Sequence, residues 1–149
     1  MTTEQAIRAV MDAHPDLTTC GVNGDCRELY GERRAALLHP LHVAEFERAV
    51  AWLVHVQKAK SGGHGSYSLK HVAEHWAGRY IANGPFIAAA LHLGFRVKRE
   101  DGDSPNALIG VASPRSWPLA NDERHAWMRR RYRNKVVAIP PPFQSENKC

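Results

Sequence analysis

The segment that most constrains the fold is Asn83-Gly84-Pro85-Phe86-Ile87-Ala88-Ala89-Ala90-Leu91-His92-Leu93-Gly94. Pro85 suits a first helical position, where its missing donor costs nothing, and Gly94 suits the stop. From Phe86 to Leu93 every side chain except His92 is apolar, so this helix has no polar face to turn to water. Such a helix must be enclosed by other elements, and its three alanines let a neighbour approach closely. The remaining chain has to supply that shell. With 149 residues, 44% hydrophobic and 23% charged, there is material for one domain whose core needs no disulfides.

The shell can be read on both sides of this helix. Thr2 or Thr3 caps a helix to about His14, with Ala6, Ile7, Val10 and Met11 as its apolar stripe and Pro15 as its stop. Residues 16–31 read as loop with a short helical piece, and 32–38 as a brief helix. From Leu41 to about Lys60, Val43, Phe46, Val50, Leu53, Val54 and Ala59 recur at helical spacing. Ser61-Gly62-Gly63-His64-Gly65-Ser66 then reads as a hinge or flexible loop. Ser68 caps a helix over 69–77 that Gly78 closes. Beyond the apolar helix, Phe95-Arg96-Val97-Lys98-Arg99 alternates at strand period, and 107–112 completes a hairpin across the turn at 101–106. After a connector, Asn121 caps a helix from Asp122 to about Arg133. Pro140-Pro141-Pro142 and the polar end read as an extended, largely disordered tail.

The expected fold is therefore α+β: a small, mostly helical domain over 1–135 with one β-hairpin, followed by a Pro-rich tail over 136–149. Its helix, turn, helix, hairpin order over 66–112 is that of a winged helix-turn-helix.

Charge points to an acidic partner. Residues 1–50 hold five Lys/Arg against eight Asp/Glu, residues 51–100 seven against two, and residues 101–149 eight against five. The basic surface lies after the first third, which suits nucleic acid. On the hairpin, Arg96, Lys98 and Arg99 are placed to reach phosphates. In the last helix Arg124, Arg129, Arg130, Arg131, Arg133 and Lys135 interleave with Trp127 and Tyr132, a composition that joins phosphate contact to base stacking. Sequence readout would fall to Arg79, Asn83 or His92, although a helix buried all round cannot also read DNA. The expected partner is nucleic acid, DNA before RNA, in a regulatory role; the alternative is a compact core whose basic groups are merely solvated.

Catalytic and cofactor motifs are weaker. His71-Val72-Ala73-Glu74-His75 has the spacing of an inverted zinc-protease signature, but no downstream Glu stands on an evident helix, and packed or solvated histidines account for it as well. Cys20 and Cys26 are separated by five residues, longer than most zinc knuckles, and only His39 and His42 could complete a site with them. Cys149 leaves an odd count, against a disulfide framework. No nucleophile elbow or phosphate-binding loop is present, so no catalytic residue, metal or cofactor is expected. No apolar run is long enough for a membrane span and the start lacks the pattern of a signal peptide, so a cytoplasmic address is expected.

Ser66-Tyr67-Ser68-Leu69-Lys70-His71, Tyr80-Ile81-Ala82-Asn83-Gly84-Pro85-Phe86-Ile87-Ala88-Ala89-Ala90, Gly94-Phe95 and Pro105-Asn106 together carry a resemblance. Over residues 64–112 the chain resembles a group of short uncharacterised proteins of bacteriophages, plasmids and other mobile elements. The resemblance implies a bacterial or phage setting and two roles: a DNA-binding regulator, or a small protein that docks on and inhibits a host defence complex, such as an anti-CRISPR or anti-restriction protein. Inhibitors that mimic DNA are often acidic, whereas this chain is basic.

Overall fold

A computed structural model describes residues 1–22, 29–133 and 139–142. Helix α1 (Thr3–Ala13) begins at a reciprocal cap: the Thr2 hydroxyl accepts from the Gln5 amide at 3.2 Å and the Gln5 side chain accepts from the Thr2 amide at 2.8 Å. At its other end Arg34, on α2 (Tyr30–Ala35), donates to the carbonyls of Met11, His14 and Leu17 at 2.5 to 3.1 Å, which ties α2 to the end of α1 and the turn after it. A 3-10 turn over Ala36–Leu38 leads into α3 (Pro40–Leu53), with Pro40 at its first position.

Helix α3 stops several residues before the expected end near Lys60. Helical periodicity continues past Leu53, but the sheet captures the backbone there: Ala59 donates to the Gly110 carbonyl and Ala112 to that of Gln57, both at 2.8 Å. The glycine-rich segment that reads as a hinge also joins the sheet, as strand β1 (His64–Gly65). Gly63 makes this possible, since a Cβ there would stand 2.7 Å from the Ile109 carbonyl oxygen. Helix α4 (Ser66–Ala77) follows and ends at Gly78 in the left-handed conformation, φ 75°, as the sequence predicts. Helix α5 (Asn83–His92) is the apolar segment.

Strands β2 (Val97–Arg99) and β3 (Ala107–Ile109) form the expected hairpin, and β1 adds a third strand, giving an antiparallel sheet in the order β1-β3-β2. Val97 and His64 both oppose Ile109. Two 3-10 turns, Pro114–Ser116 and Glu123–His125, precede α6 (Ala126–Arg131); Asp122, not Asn121, caps the second turn. The protein is thus a small α+β domain, with six α-helices and one three-stranded antiparallel sheet among the described residues.

Helix α5 lies at the centre, packed against α1, α3, α4 and β2, and every residue from Asn83 to Ala90 is buried. Around it Trp52 meets Phe86 and Trp117 with ring centroids 6.1 and 5.9 Å apart. Glu45 is buried at the start of α5, where its carboxylate accepts from the Ala82 amide at 2.9 Å and contacts His42 at 3.0 Å. A negative group at the positive end of a helix is favourable, and here it also satisfies a buried donor. No helix among the described residues is long and apolar enough to cross a membrane.

Candidate nucleic-acid interface

The structure gives the basic residues different surroundings. On the hairpin, Arg99 is engaged by Asp16, to which its Nε and Nη2 donate at 2.5 and 2.6 Å. This partner raises the Arg99 pKa above its ordinary value through its hydrogen bond, against a smaller opposing effect of burial. Arg96 is exposed, and its guanidinium donates to the Gly62 carbonyl. Lys98 points to solvent. On α6, Arg129 turns back to the carbonyls of Ala120 and Asp122, whereas Arg130, Arg131 and Arg133 are exposed. Lys135, Cys26 and Cys149 lie outside the described residues.

Asn83 stands apart from both groups. It is 8% exposed, and its amide nitrogen faces the carbonyls of Cys20 and Pro105 and the Asn106 side chain at 2.9 to 3.2 Å. The side chain joins three segments of the domain and does not reach a surface from which a base edge could be read. Helix α5 is thereby withdrawn from the recognition role that its place in the element order suggests. His92, at its end, is exposed and packs against Phe46 with ring centroids 5.6 Å apart.

Arg79 belongs to a groove that the sequence does not announce. Its volume is about 460 Å³, and it runs between the end of α4 and the start of α6, lined by Glu74, His75, Arg79, Tyr80, Arg124 and Trp127 among others. Tyr80 and Trp127 are 61% and 51% exposed, which is unusual for side chains that bury so much area when they can. Tyr67 is 54% exposed and stands on the same face of α4 as His71 and His75, because i, i+4 and i+8 superpose on a helix. The rings of Tyr67 and His71 meet edge-on at 4.5 Å. An aromatic stripe of roughly 12 Å therefore leads along α4 to the groove.

Lys70 and Glu74 hold this stripe in place. Lys70 is buried, with its ammonium 4.4 Å from the Tyr80 ring centroid, 5.3 Å from that of Tyr67 and 3.1 Å from the Glu74 carboxylate. Glu74 also contacts His71 at 2.8 Å and accepts from the Ile81 amide at 3.3 Å. The His71, Glu74, His75 motif is thus divided: Glu74 is committed to Lys70 and His71, and His75 bonds to a different partner. No group of three or more His, Cys, Asp or Glu side chains among the described residues could hold a metal. Cys20 instead accepts from Arg33 at 2.7 Å.

His75 is bonded across the groove. Its Nδ1 is 2.9 Å from Nε2 of His125, and Nδ1 of His125 is 2.6 Å from the Asp122 carboxylate. Desolvation acts to raise the Asp122 pKa, but the bonds and charge of His125 outweigh it and hold the carboxyl below its ordinary value. Burial first, then the proximity of His125, pushes the His75 pKa down. Ile139 and Pro140, which the sequence assigns to a disordered tail, lie beside this groove, where the Ile139 carbonyl accepts from the Trp76 indole at 2.6 Å.

His64, edge-on to Trp117 at 4.9 Å, is likewise pushed down by burial. A histidine pKa lowered by folding means that the unfolded chain takes up the proton first. The stability these two groups confer is present above the unfolded value of about 6.5 and is lost as pH falls toward their folded values. The urea midpoint is expected to decline from pH 7 to pH 5, and less steeply in His64→Phe. An equal decline in that variant would remove His64 from the account.

No protein-family model, curated protein or solved structure matches this chain.

Proposed function

We propose that this protein binds nucleic acid as a single strand, laid along the aromatic face of α4 and into the groove beside α6. The observation that carries this reading is that Arg79 and Arg124 share one groove with the exposed rings of Tyr80 and Trp127. Guanidinium groups beside exposed aromatic rings suit phosphates and bases together, and every base has a face to stack. Arg130, Arg131 and Arg133, exposed at the end of α6, extend the positive surface. A duplex buries its base faces, so the same groove favours the single strand. The regulatory role and the mobile-element setting rest on the resemblance of residues 64–112 alone.

Fluorescence anisotropy with single-stranded and duplex oligonucleotides, at about 50 and 200 mM salt, tests the reading. The expected result is tighter binding of the single strand, weakening with salt by a slope of about −0.7 per phosphate contacted. Replacing Arg130 and Arg131 by alanine flattens that slope. Trp127→Ala lowers affinity by about 1–3 kcal/mol and leaves the slope unchanged, because a ring carries no counterion exchange. Absence of binding at the lower salt, or binding indifferent to salt, overturns the proposal and redirects attention to a protein partner, as the alternative from the resemblance implies.

A further inference from the structure

We propose that the groove also cleaves single-stranded RNA without a metal, with His75 as the general base that takes the proton of a ribose 2′-hydroxyl. The inference rests on the reading of the groove as a nucleic-acid site. Its own ground is the direction of the hydrogen bonds in the Asp122, His125, His75 chain.

An ionised carboxylate can only accept, so Nδ1 of His125 must donate to Asp122. In neutral His125 this leaves Nε2 as an acceptor, and Nδ1 of His75 must donate to it. Neutral His75 then carries its lone pair on Nε2. His75 is exposed and lines the groove, and its Nε2 has no other hydrogen-bond partner among the described residues. The chain is polarised in one sense. A proton arriving on Nε2 of His75 breaks no bond, and the resulting charge is relayed through His125 toward Asp122. His125, the middle member, is buried, while Asp122 and His75 at the two ends are exposed. This is the logic by which an aspartate orients a histidine base, here extended by one imidazole.

The charged groups around His75 suit a phosphodiester. On α4 these are His71 and Glu74, whose carboxylate is committed to Lys70 and His71; after α4 stands Arg79; before α6 stand Asp122, Arg124 and His125. Arg124 is 86% exposed in its side chain. With a strand in the groove, Nε2 of His75 takes the 2′-hydroxyl proton and the 2′-oxygen forms a bond to the adjacent phosphorus. The bond from phosphorus to the 5′-oxygen of the next nucleotide breaks, that oxygen takes a proton from water, and the hydroxide left behind takes the proton from Nε2 of His75, which returns the base to its starting state. Arg79 and Arg124 stabilise the added charge on the phosphoryl oxygens. The products are a 2′,3′-cyclic phosphate and a 5′-hydroxyl, and no oxidant, metal or second substrate enters the balance.

The test uses the full chain and a fluorescently labelled single-stranded RNA in excess EDTA, with its all-2′-deoxy and 2′-O-methyl counterparts as controls. The expected result is cleavage of the RNA to cyclic-phosphate ends, with both controls bound but intact. His75→Gln, shown to be folded by circular dichroism, loses about 100-fold or more in rate, the scale of a removed general base. Asp122→Asn, a change to a positioning residue, slows cleavage and shifts the acidic limb of the pH profile while binding is retained, which a merely structural contact would not produce. RNA that is bound yet stays intact, or cleavage that survives in His75→Gln, overturns this inference and leaves the binding proposal standing. Failure to bind any of the three oligonucleotides removes both.

Discussion

Gly84→Ala is expected to destabilise the fold by about 3 kcal/mol, the upper range for forcing extra volume into a packed site. The second residue of α5 is pressed against the turn at Thr18–Gly21, whose ends bond each other at 2.8 and 3.1 Å. The Gly84 amide donates to the Thr19 carbonyl at 3.0 Å, so the two backbones are in direct contact. A Cβ at Gly84 would stand 1.9 Å from the Thr18 carbonyl oxygen and 2.7 Å from two backbone atoms of Thr19. Backbone on both sides cannot rotate away as a flexible side chain can. Gly31, on α2, is the internal control, because a Cβ there meets nothing within 4 Å. Gly31→Ala should be neutral or stabilise by up to about 1 kcal/mol through helix propensity. Urea unfolding of both variants decides the matter: equal midpoints would mean that the turn does not press on α5.

Trp52→Ala is expected to cost about 3–5 kcal/mol, a large part of the roughly 5–15 kcal/mol that holds a domain of this size together. Trp52 has no exposed surface, stands between the rings of Phe86 and Trp117, and donates its indole N–H to the Pro118 carbonyl at 2.8 Å. Truncation therefore leaves a cavity and an unpaired carbonyl together. Trp52→Phe separates the two, restoring most of the volume but not the donor, and should fall between wild type and Trp52→Ala. A thermal melt in which Trp52→Phe is as unstable as Trp52→Ala would assign the whole effect to the hydrogen bond.

What could be read from the sequence follows from the range of the interactions responsible. Helix α5 is legible because its enclosure is a property of twelve consecutive residues. The Gly78 stop and the hairpin are equally local. The end of α3 is not, since helical periodicity continues past Leu53 and only pairing with residues 110–112 stops the helix. Strand β1 is missed for the converse reason: glycines that signal freedom in isolation admit the close approach of Ile109 once the sheet exists.

The site shows the same division. The mixture of arginine and aromatics around Trp127 is visible as composition, and Arg130, Arg131 and Arg133 are exposed as that mixture suggests. The pairing of Arg99 with Asp16, 83 residues away, has no local trace, and neither does the bond between His75 and His125, 50 residues apart. With nine histidines in the chain, spacing alone singles out His71 and His75 as a pair, whereas the fold joins His75 to His125 and leaves His71 with Glu74. Asn83 is legible only as a helix start; that its amide is used internally depends on two loops meeting there.

The three-way junction at Asn83 bears on how the chain assembles during synthesis. Helices α1, α3 and α4, which enclose α5, precede it, so most of the shell is already made when α5 leaves the ribosome. Pro105 and Asn106 come later, as does β3, the middle strand of the sheet. Until some twenty further residues are added, a nascent chain ending at α5 has a helical core with the Asn83 amide only partly engaged and one strand waiting for its neighbour. A pause in synthesis that leaves α5 outside the ribosome and residues from 107 onward still inside it would hold the protein in that half-closed form, with an unpaired strand exposed to other nascent chains.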